Sequence, residues 1–247
     1  MPLISIGGKE SRGTMVKTLH PVTKAIYTLI KDGSLVTGIF DKKMFSVYPF
    51  QFSPQQLLFL TECVESVRGI EGCCAEIGCN RGYTTAFLNR YMAESGIEKD
   101  YYALDTFSGF ISEHVDHEIE ARGKSQSIRH KMSDNKKTWF DRSMEVTGIT
   151  GLNSIEADAA TFDYSTIAPI AFCLLDVDLY LPIAKALPRI YQQLSPGGII
   201  VVDDCAPDQA WDGALQAYGE FTELIDLPNQ VRHKKLGLIH KPEAPSE

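Results

Sequence analysis

Cys173-Leu-Leu-Asp-Val-Asp-Leu-Tyr180 and, further along, Val201-Val-Asp-Asp204 decide how this chain is read. Each is an apolar run that ends abruptly in carboxylates, the pattern of a parallel strand buried on both faces whose C-terminal end opens into a crevice. Upstream, Ile170-Ala-Phe-Cys-Leu-Leu-Asp176 is almost wholly apolar. Pro182 then starts a helix with Ile183, Leu187, Ile190, Tyr191 and Leu194 along one side, and Ser195-Pro-Gly-Gly turns the chain into Ile199-Ile-Val-Val-Asp203. Strand, helix and strand in that order place the chain in the α/β class.

Earlier segments extend the pattern. Ser53-Pro54 is a helix start, a capping hydroxyl followed by proline, and Leu57, Leu58, Leu60, Val64 and Val67 form the expected buried stripe up to Gly69. Cys73-Cys-Ala-Glu-Ile-Gly-Cys-Asn-Arg-Gly-Tyr-Thr-Thr reads as strand, glycine turn and helix, with Glu76, Gly78 and Gly82 spaced E-x-G-x-x-x-G. This is not the three-glycine dinucleotide fingerprint. An acid before the first glycine suits a ligand carrying an amine or a ribose better than one carrying phosphates. Tyr101-Tyr-Ala-Leu-Asp105 is the second strand, and Asp105 falls where a doubly wound fold places the carboxylate that grips ribose hydroxyls. Asn153-Ser-Ile-Glu-Ala-Asp158 is a short third strand, with Asp158 and Ala159 at the adenine side of a bound nucleoside.

The stretch from Thr106 to about Lys137 is polar and reads as a lid or binding loop, or as short helices. Its His114, His117 and His130 read as solvated, with contact to substrate as the alternative. Lys137 to Thr147 has a helical pattern stopped by Gly148, and Trp139 in it reads as core or lid packing. Gln209 to Leu224 is a further helix, carrying Trp211, Leu215, Tyr218 and Phe221; Val231 to Lys241 is a hairpin-like segment fit for an antiparallel edge. Residues 1–52 form an N-terminal extension, a cap over a site or a subunit contact, with a helix from Thr18 to Lys31 and an extended Tyr48-Pro-Phe-Gln-Phe. One domain spans 53–241, and 242–247 read as a fraying tail.

Composition narrows the function. With 247 residues, 44% hydrophobic and 23% charged, the chain has ordinary globular composition. Its net charge of -8, without a Lys/Arg stripe, argues against nucleic acid as a partner. The absence of a long apolar span and of a leader-like start points to a cytoplasmic protein with no membrane partner. Six cysteines without a CxxC pair read as buried free thiols, which fits that compartment.

Four aspartates then meet at neighbouring strand mouths. Side chains two apart on a strand share a face, so Asp176 and Asp178 point into one cavity. Cys205-Ala-Pro breaks the next strand and lets Asp203 and Asp204 turn to the same mouth. Crowded carboxylates repel and raise each other's pKa, so they call for a cation among them or a proton held for chemistry. An oxygen-only set suits a hard divalent ion, Mg²⁺ first. The bland alternative is that Asp203-Asp204 caps a helix and Asp178 is a surface residue.

Glu76-Ile-Gly-Cys-Asn-Arg-Gly82, Asp105-Thr-Phe-Ser-Gly109, Asp176-Val-Asp-Leu-Tyr180 and Pro196-Gly-Gly-Ile-Ile-Val-Val-Asp-Asp204 together resemble the macrocin O-methyltransferase (TylF-like) family over roughly Ser53 to Lys241. The D-x-D-L-Y block followed by P-G-G and D-D carries most of that resemblance. It implies a Rossmann-like class I methyltransferase fold: a mostly parallel seven-stranded sheet with an antiparallel edge strand and helices on both faces. It also implies S-adenosylmethionine as methyl donor and Mg²⁺ or another hard divalent ion as cofactor. Asp176, Asp203 and Asp204 would hold the metal and Asp178 would be the general base. Glu76, Gly78, Asn80, Gly82, Asp105 and Ser108 would line the donor pocket with Asp158 and Ala159, and Tyr83 and Thr84 would meet the donor's methionine part. The acceptor implied is a small molecule, a sugar hydroxyl of an antibiotic-type natural product, with a homodimer as the possible assembly. Leu181-Pro182-Ile183 departs from the threonine common there, and residues 1–50 and the loop after Asp105 do not align, so acceptor recognition is not carried over.

Three rival readings accompany this one. They are a nicotinamide oxidoreductase, which lacks its glycine fingerprint here; a metal-dependent methyltransferase of a catechol-like phenol; and a cofactor-binding protein that is not an enzyme.

Overall fold

Local signals start most of the elements that frame the site. The computed structural model describes residues 21–39, 45–207 and 211–243, in two compact units, Met1–Pro49 and Phe50–Glu247. The first unit holds helix α1 (Pro21–Thr37). It continues past the Lys31 expected from the sequence, while Thr18 and the other residues before Pro21 lie outside the described residues.

In the second unit, α2 (Pro54–Ser66) opens with the expected cap: Ser53 accepts from the Gln56 amide, and the Gln56 side chain accepts from the Ser53 amide. This reciprocal box satisfies two donors that the helix leaves free. Leu57, Leu60, Val64 and Val67 are buried as expected, but Leu58 is 61% exposed. Position 58 falls on the outer side of α2, one residue off the buried stripe.

Seven strands follow: β1 (Cys73–Ile77), β2 (Tyr101–Asp105), β3 (Leu152–Glu156), β4 (Ile170–Leu175), β5 (Leu194–Val202), β6 (Gln230–Arg232) and β7 (Leu236–His240). They form one sheet in the order β3-β2-β1-β4-β5-β7-β6. The first five are parallel to their neighbours, and β7 runs antiparallel to both β5 and β6. The mostly parallel seven-stranded sheet with an antiparallel edge is therefore present. Every residue of β4 is fully buried, as an unbroken apolar run requires in a sheet covered on both faces.

Both covering layers come from helices. On one face, Ala75, Ile77, Cys173 and Leu175 pack with α6 (Tyr180–Gln193) and α7 (Gly213–Leu224) through Ile183, Leu187, Tyr218 and Phe221. On the other, Cys74, Phe172 and Leu174 pack with α2, α3 (Tyr83–Ser95) and α5 (Lys137–Thr147) through Leu60, Leu88, Phe140 and Met144. Burying one such side chain stabilises the fold by about 2 kcal/mol, so the alternation along β1 and β4 fixes the register. All six cysteines are free and buried.

The 106–137 segment is built of short helices: α4 (Ser112–Glu120) and a 3₁₀ turn (Gln126–His130). It carries a small core of its own, Val115 and Ile128 around Leu179, with Phe110 and Trp211 against it. Trp139 does not pack in the core; it is 54% exposed, with the Lys136 ammonium 5.2 Å above its ring. The helix expected from Gln209 is α7, which starts at Gly213; residues 208–210 lie outside the described residues, and Trp211 packs edge-on to Phe110 at 5.4 Å between centroids.

Candidate active site

The chain leaves β1 toward β2 and β3 on one side, then returns to β4 on the other. The crevice between β1 and β4 is the topological switch point, where open α/β sheets bind their ligands. It is narrow. Gly78 follows β1 at φ +90°, and a β-carbon there would lie 1.8 Å from the Asp176 carbonyl oxygen, so only glycine fits. Gly82, at φ +80°, would instead strike Met144 and Phe140. Its bare backbone makes room for α5 rather than for a ligand.

A cavity opens at this point, lined by residues that follow β1, β2, β3 and β4: Gly78 and Asn80, Asp105, Asp158 and Ala159, Asp176 and Asp178. Among the expected donor residues, Asp105 accepts the Asn80 amide and the Phe107 amide, one on each oxygen, both at 2.8 Å. It thereby ties the glycine turn to the β2 exit. Asp158 accepts the Ala160 amide at 2.9 Å. Ser108 is exposed, Thr84 is partly buried and Tyr83 is 49% exposed, and none of the three lines the cavity.

Glu76 also lies outside the lining, buried behind it. Its carboxylate accepts the Thr85 hydroxyl at 2.6 Å and the Tyr101 hydroxyl at 2.9 Å. Burial pushes its pKa up to about 7 against the pull of those two hydroxyls. His114, read from the sequence as solvated with substrate contact as the alternative, is buried; it lines the cavity and stands 3.9 Å from Asp158. Its burial favours the neutral ring, with Asp158 acting in the opposite direction. His117 stacks on Tyr180 at 5.5 Å, and the side chain of His130 lies outside the described residues.

The aspartates converge, though not for the reason expected. β4 ends at Leu175, so Asp176 and Asp178 are not two apart on a strand. A three-residue turn, closed by the Leu179 amide on the Val177 carbonyl at 2.6 Å, holds Asp178 at φ +60°. That turn brings Asp178 back beside Asp176. Asp204 takes φ +58° just past β5. Two non-glycine residues in the left-handed region are a strain that persists only where the surroundings demand it. Carboxylate oxygens of Asp176, Asp178 and Asp204 lie within 4.8 Å of one another.

Asp203 stands slightly apart from this trio. One of its oxygens accepts the Lys235 ammonium at 2.6 Å, and the same ammonium reaches Asp204 at 3.0 Å. The other oxygen, Oδ1, is buried without a hydrogen-bond partner. Burial pushes Asp176 and Asp178 well above the usual carboxylate range, and the neighbouring aspartates push the same way. Burial also raises Asp203, to about 6, despite Lys235. Four carboxylates facing one ammonium, with an orphaned buried oxygen among them, are the donor set a hard divalent cation fits.

Two further groups hold the aspartate loop in place. Leu179, buried, is the centre of the small core above. Glu118 of α4, 2% exposed, accepts the Tyr180 amide at 2.7 Å and the Arg122 guanidinium at 3.0 Å, and Arg122 continues to Asp212 at 2.7 Å. The α4 segment is thus fastened to the start of α6 by a buried carboxylate. No spacing in the sequence signalled that pairing, because Glu118 and Tyr180 are 62 positions apart.

The comparisons with known proteins agree with this geometry. The macrocin O-methyltransferase (TylF) family matches residues 53–234. Among solved structures, the O-methyltransferase NovP superposes with a TM-score of 0.65 at 14% identity, covering 89% of this chain and 99% of its own. The calicheamicin methyltransferase CalS11 superposes with a TM-score of 0.61 at 17% identity, covering 96% and 99%. A second structure of CalS11, described as a TDP-rhamnose 3'-O-methyltransferase of calicheamicin biosynthesis, gives 0.52 at 16% identity, covering 90% and 96%. No curated protein sequence matches the chain significantly. Among the described residues no helix is long and apolar enough to cross a membrane. A family match over most of the chain, on a mostly parallel seven-stranded sheet with an antiparallel edge, shows that the chain belongs to the macrocin O-methyltransferase (TylF) family and is an O-methyltransferase.

Proposed function

We propose that the chain transfers the methyl group of S-adenosylmethionine to a sugar hydroxyl of a glycosylated natural product, with a divalent cation, Mg²⁺ first, at the acidic mouth. One observation carries this reading: the cluster of Asp176, Asp178 and Asp204, with the orphaned oxygen of Asp203 beside it, borders the switch-point cavity. The family's own description and the sugar named for CalS11 support the acceptor class.

In this reading Asp105 binds the donor's ribose and Asp158 with Ala159 borders its adenine. Gly78 and Asn80 line the turn beneath it, and Tyr83 and Thr84 face its methionine end. Glu76, Gly82 and Ser108 support the same region. Asp176, Asp203 and Asp204 would hold the metal, which would lower the pKa of a bound hydroxyl and stabilise its alkoxide. Asp178 would take the hydroxyl proton; a carboxylate whose pKa is raised by burial is a stronger base than a solvated one. The donor, when bound, would supply its sulfonium methyl to the hydroxyl oxygen, the carbon–sulfur bond breaking as the thioether departs. The packed 106–137 segment keeps water from the reacting atoms, so that alignment rather than solvent sets the rate.

Calorimetric titration with S-adenosylhomocysteine, with and without Mg²⁺, tests the donor and metal assignments without knowledge of the acceptor. Binding is expected in both conditions, together with Mg²⁺-dependent turnover on a panel of glycosylated acceptors. Turnover of catechols alone would move the acceptor to the phenolic class. Folded protein that binds no donor would overturn the reading.

A further inference from the structure

The hairpin between β6 and β7 has a turn that is unusually costly for its sequence. Arg232 pairs with Leu236, leaving His233-Lys234-Lys235 as the loop, and His233 and Lys234 sit at φ +46° and +77° without a glycine between them. Positive φ is rare for a residue as bulky as lysine. Strain of this kind persists where contacts over-determine it, and here they come from several sides. Gln56, already in the α2 capping box, donates its side-chain amide to the His233 carbonyl at 2.9 Å. The His233 ring lies 5.0 Å from Phe59. The Cys205 amide, immediately after the acidic pair, donates to the Lys235 carbonyl at 2.7 Å.

All of these contacts deliver one group. The Lys235 ammonium sits 2.6 Å from Asp203 and 3.0 Å from Asp204, with the Phe52 ring 5.1 Å beneath it. The side chain is 15% exposed. A buried ammonium among acids does two things. It offsets negative charge in the cluster, and it occupies one named oxygen on each of two neighbouring carboxylates, leaving Asp203 Oδ1 unpartnered.

We propose that Lys235 is the positioning residue of the acidic site: it fixes Asp203 and Asp204 from behind and serves as their resident counter-charge until a divalent cation binds on the open side. The proposal rests on the reading that these acids take such a cation. Two consequences follow from charge alone. Without the ammonium the empty site is an uncompensated acidic cluster, so the fold loses stability that a cation restores. The ammonium also repels the incoming cation, so its removal tightens cation binding.

The experiment uses the full chain at pH 8, with thermal melting in EDTA and in saturating MgCl₂, and calorimetric titration of Mg²⁺ alone. Lys235→Met, which keeps most of the apolar stem, should melt roughly 10 °C below wild type in EDTA, recover more than half of that loss in Mg²⁺, and bind Mg²⁺ about tenfold more tightly. The Asp203→Asn, Lys235→Met double variant removes one charge of each sign and should melt within a few degrees of wild type in EDTA. If Mg²⁺ raises the melting temperature of wild type and Lys235→Met equally, or if the double variant melts as low as the single one, Lys235 is only packing and the proposal falls while the metal reading stands. If Mg²⁺ neither binds nor stabilises wild type, the metal reading fails and takes the proposal with it.

Discussion

Glu76→Gln offers a test of the buried site that needs neither donor nor acceptor. In the fold, burial pushes the Glu76 carboxyl up to about 7 from an ordinary 4.5. Below pH 4.5 the group is protonated whether folded or unfolded and contributes nothing to pH dependence. Between pH 4.5 and 7 the unfolded chain releases the proton while the fold retains it, so stability falls as pH rises. Above pH 7 the penalty is complete, and a displacement of that size corresponds to about 3 kcal/mol.

Glutamine is neutral at every pH and keeps a carbonyl oxygen for the Thr85 and Tyr101 hydroxyls that Glu76 accepts. The variant should therefore match wild type near pH 4.5 and exceed it by up to about 3 kcal/mol at pH 8. For a chain of this length that gain corresponds to roughly 6–12 °C in melting temperature. Urea denaturation of ligand-free protein at pH 5, 6.5 and 8 measures it directly. A stability difference that stays flat across those three pH values would refute the argument that Glu76 is held protonated by burial. Because Glu76 lies behind the cavity rather than in its lining, affinity for S-adenosylhomocysteine should change by less than about threefold; a larger loss would mean that the carboxylate reaches the donor.

Other changes probe the crevice and its supports. Gly78→Ala places a methyl 1.8 Å from the Asp176 carbonyl and should cost at least about 4 kcal/mol or abolish soluble expression, read by denaturation or yield. Asp178→Asn should lower turnover by roughly 10²–10⁴-fold while leaving S-adenosylhomocysteine binding intact, the signature of a lost base. Glu118→Ala frees the Tyr180 amide and leaves Arg122 with Asp212 as its remaining acidic partner; we expect a loss of about 3 kcal/mol together with slower turnover. A stability loss with unchanged kcat would mean that the α4 anchor does not position the aspartate loop.

Much of the frame is legible in the chain itself. The unbroken apolar run of β4 can be satisfied only by burial on both faces, and the Ser53 cap is a local signal that needs no partner far away. Ser195-Pro-Gly-Gly, expected as a turn before the strand, lies instead within β5, where the pairing with β4 shifts register between Leu194 and Ile199. Gly78 is legible as a special backbone position. What it must avoid is not, because the Asp176 carbonyl comes from a strand nearly a hundred residues later. The positions read from helical periodicity divide the same way: Leu57 and Leu60 are buried, while Leu58 and Trp139 face outward. Periodicity marks a helix and leaves the width of its covered stripe to the packing.

For the site, sequence alone determined which residue types are available: acids at the ends of β1, β2, β4 and β5, and glycine where the backbone must close. Tertiary structure decided how they are used. A strained three-residue turn, not strand alternation, turns Asp178 back toward Asp176. Lys235, from the hairpin at the edge of the sheet, bridges Asp203 and Asp204, and Glu118 holds the loop that carries Asp176 and Asp178. The last two share a physical reason. Carboxylates and their counter-charges interact through space over a few ångströms, and only the folded sheet brings groups 30 to 100 residues apart within that range.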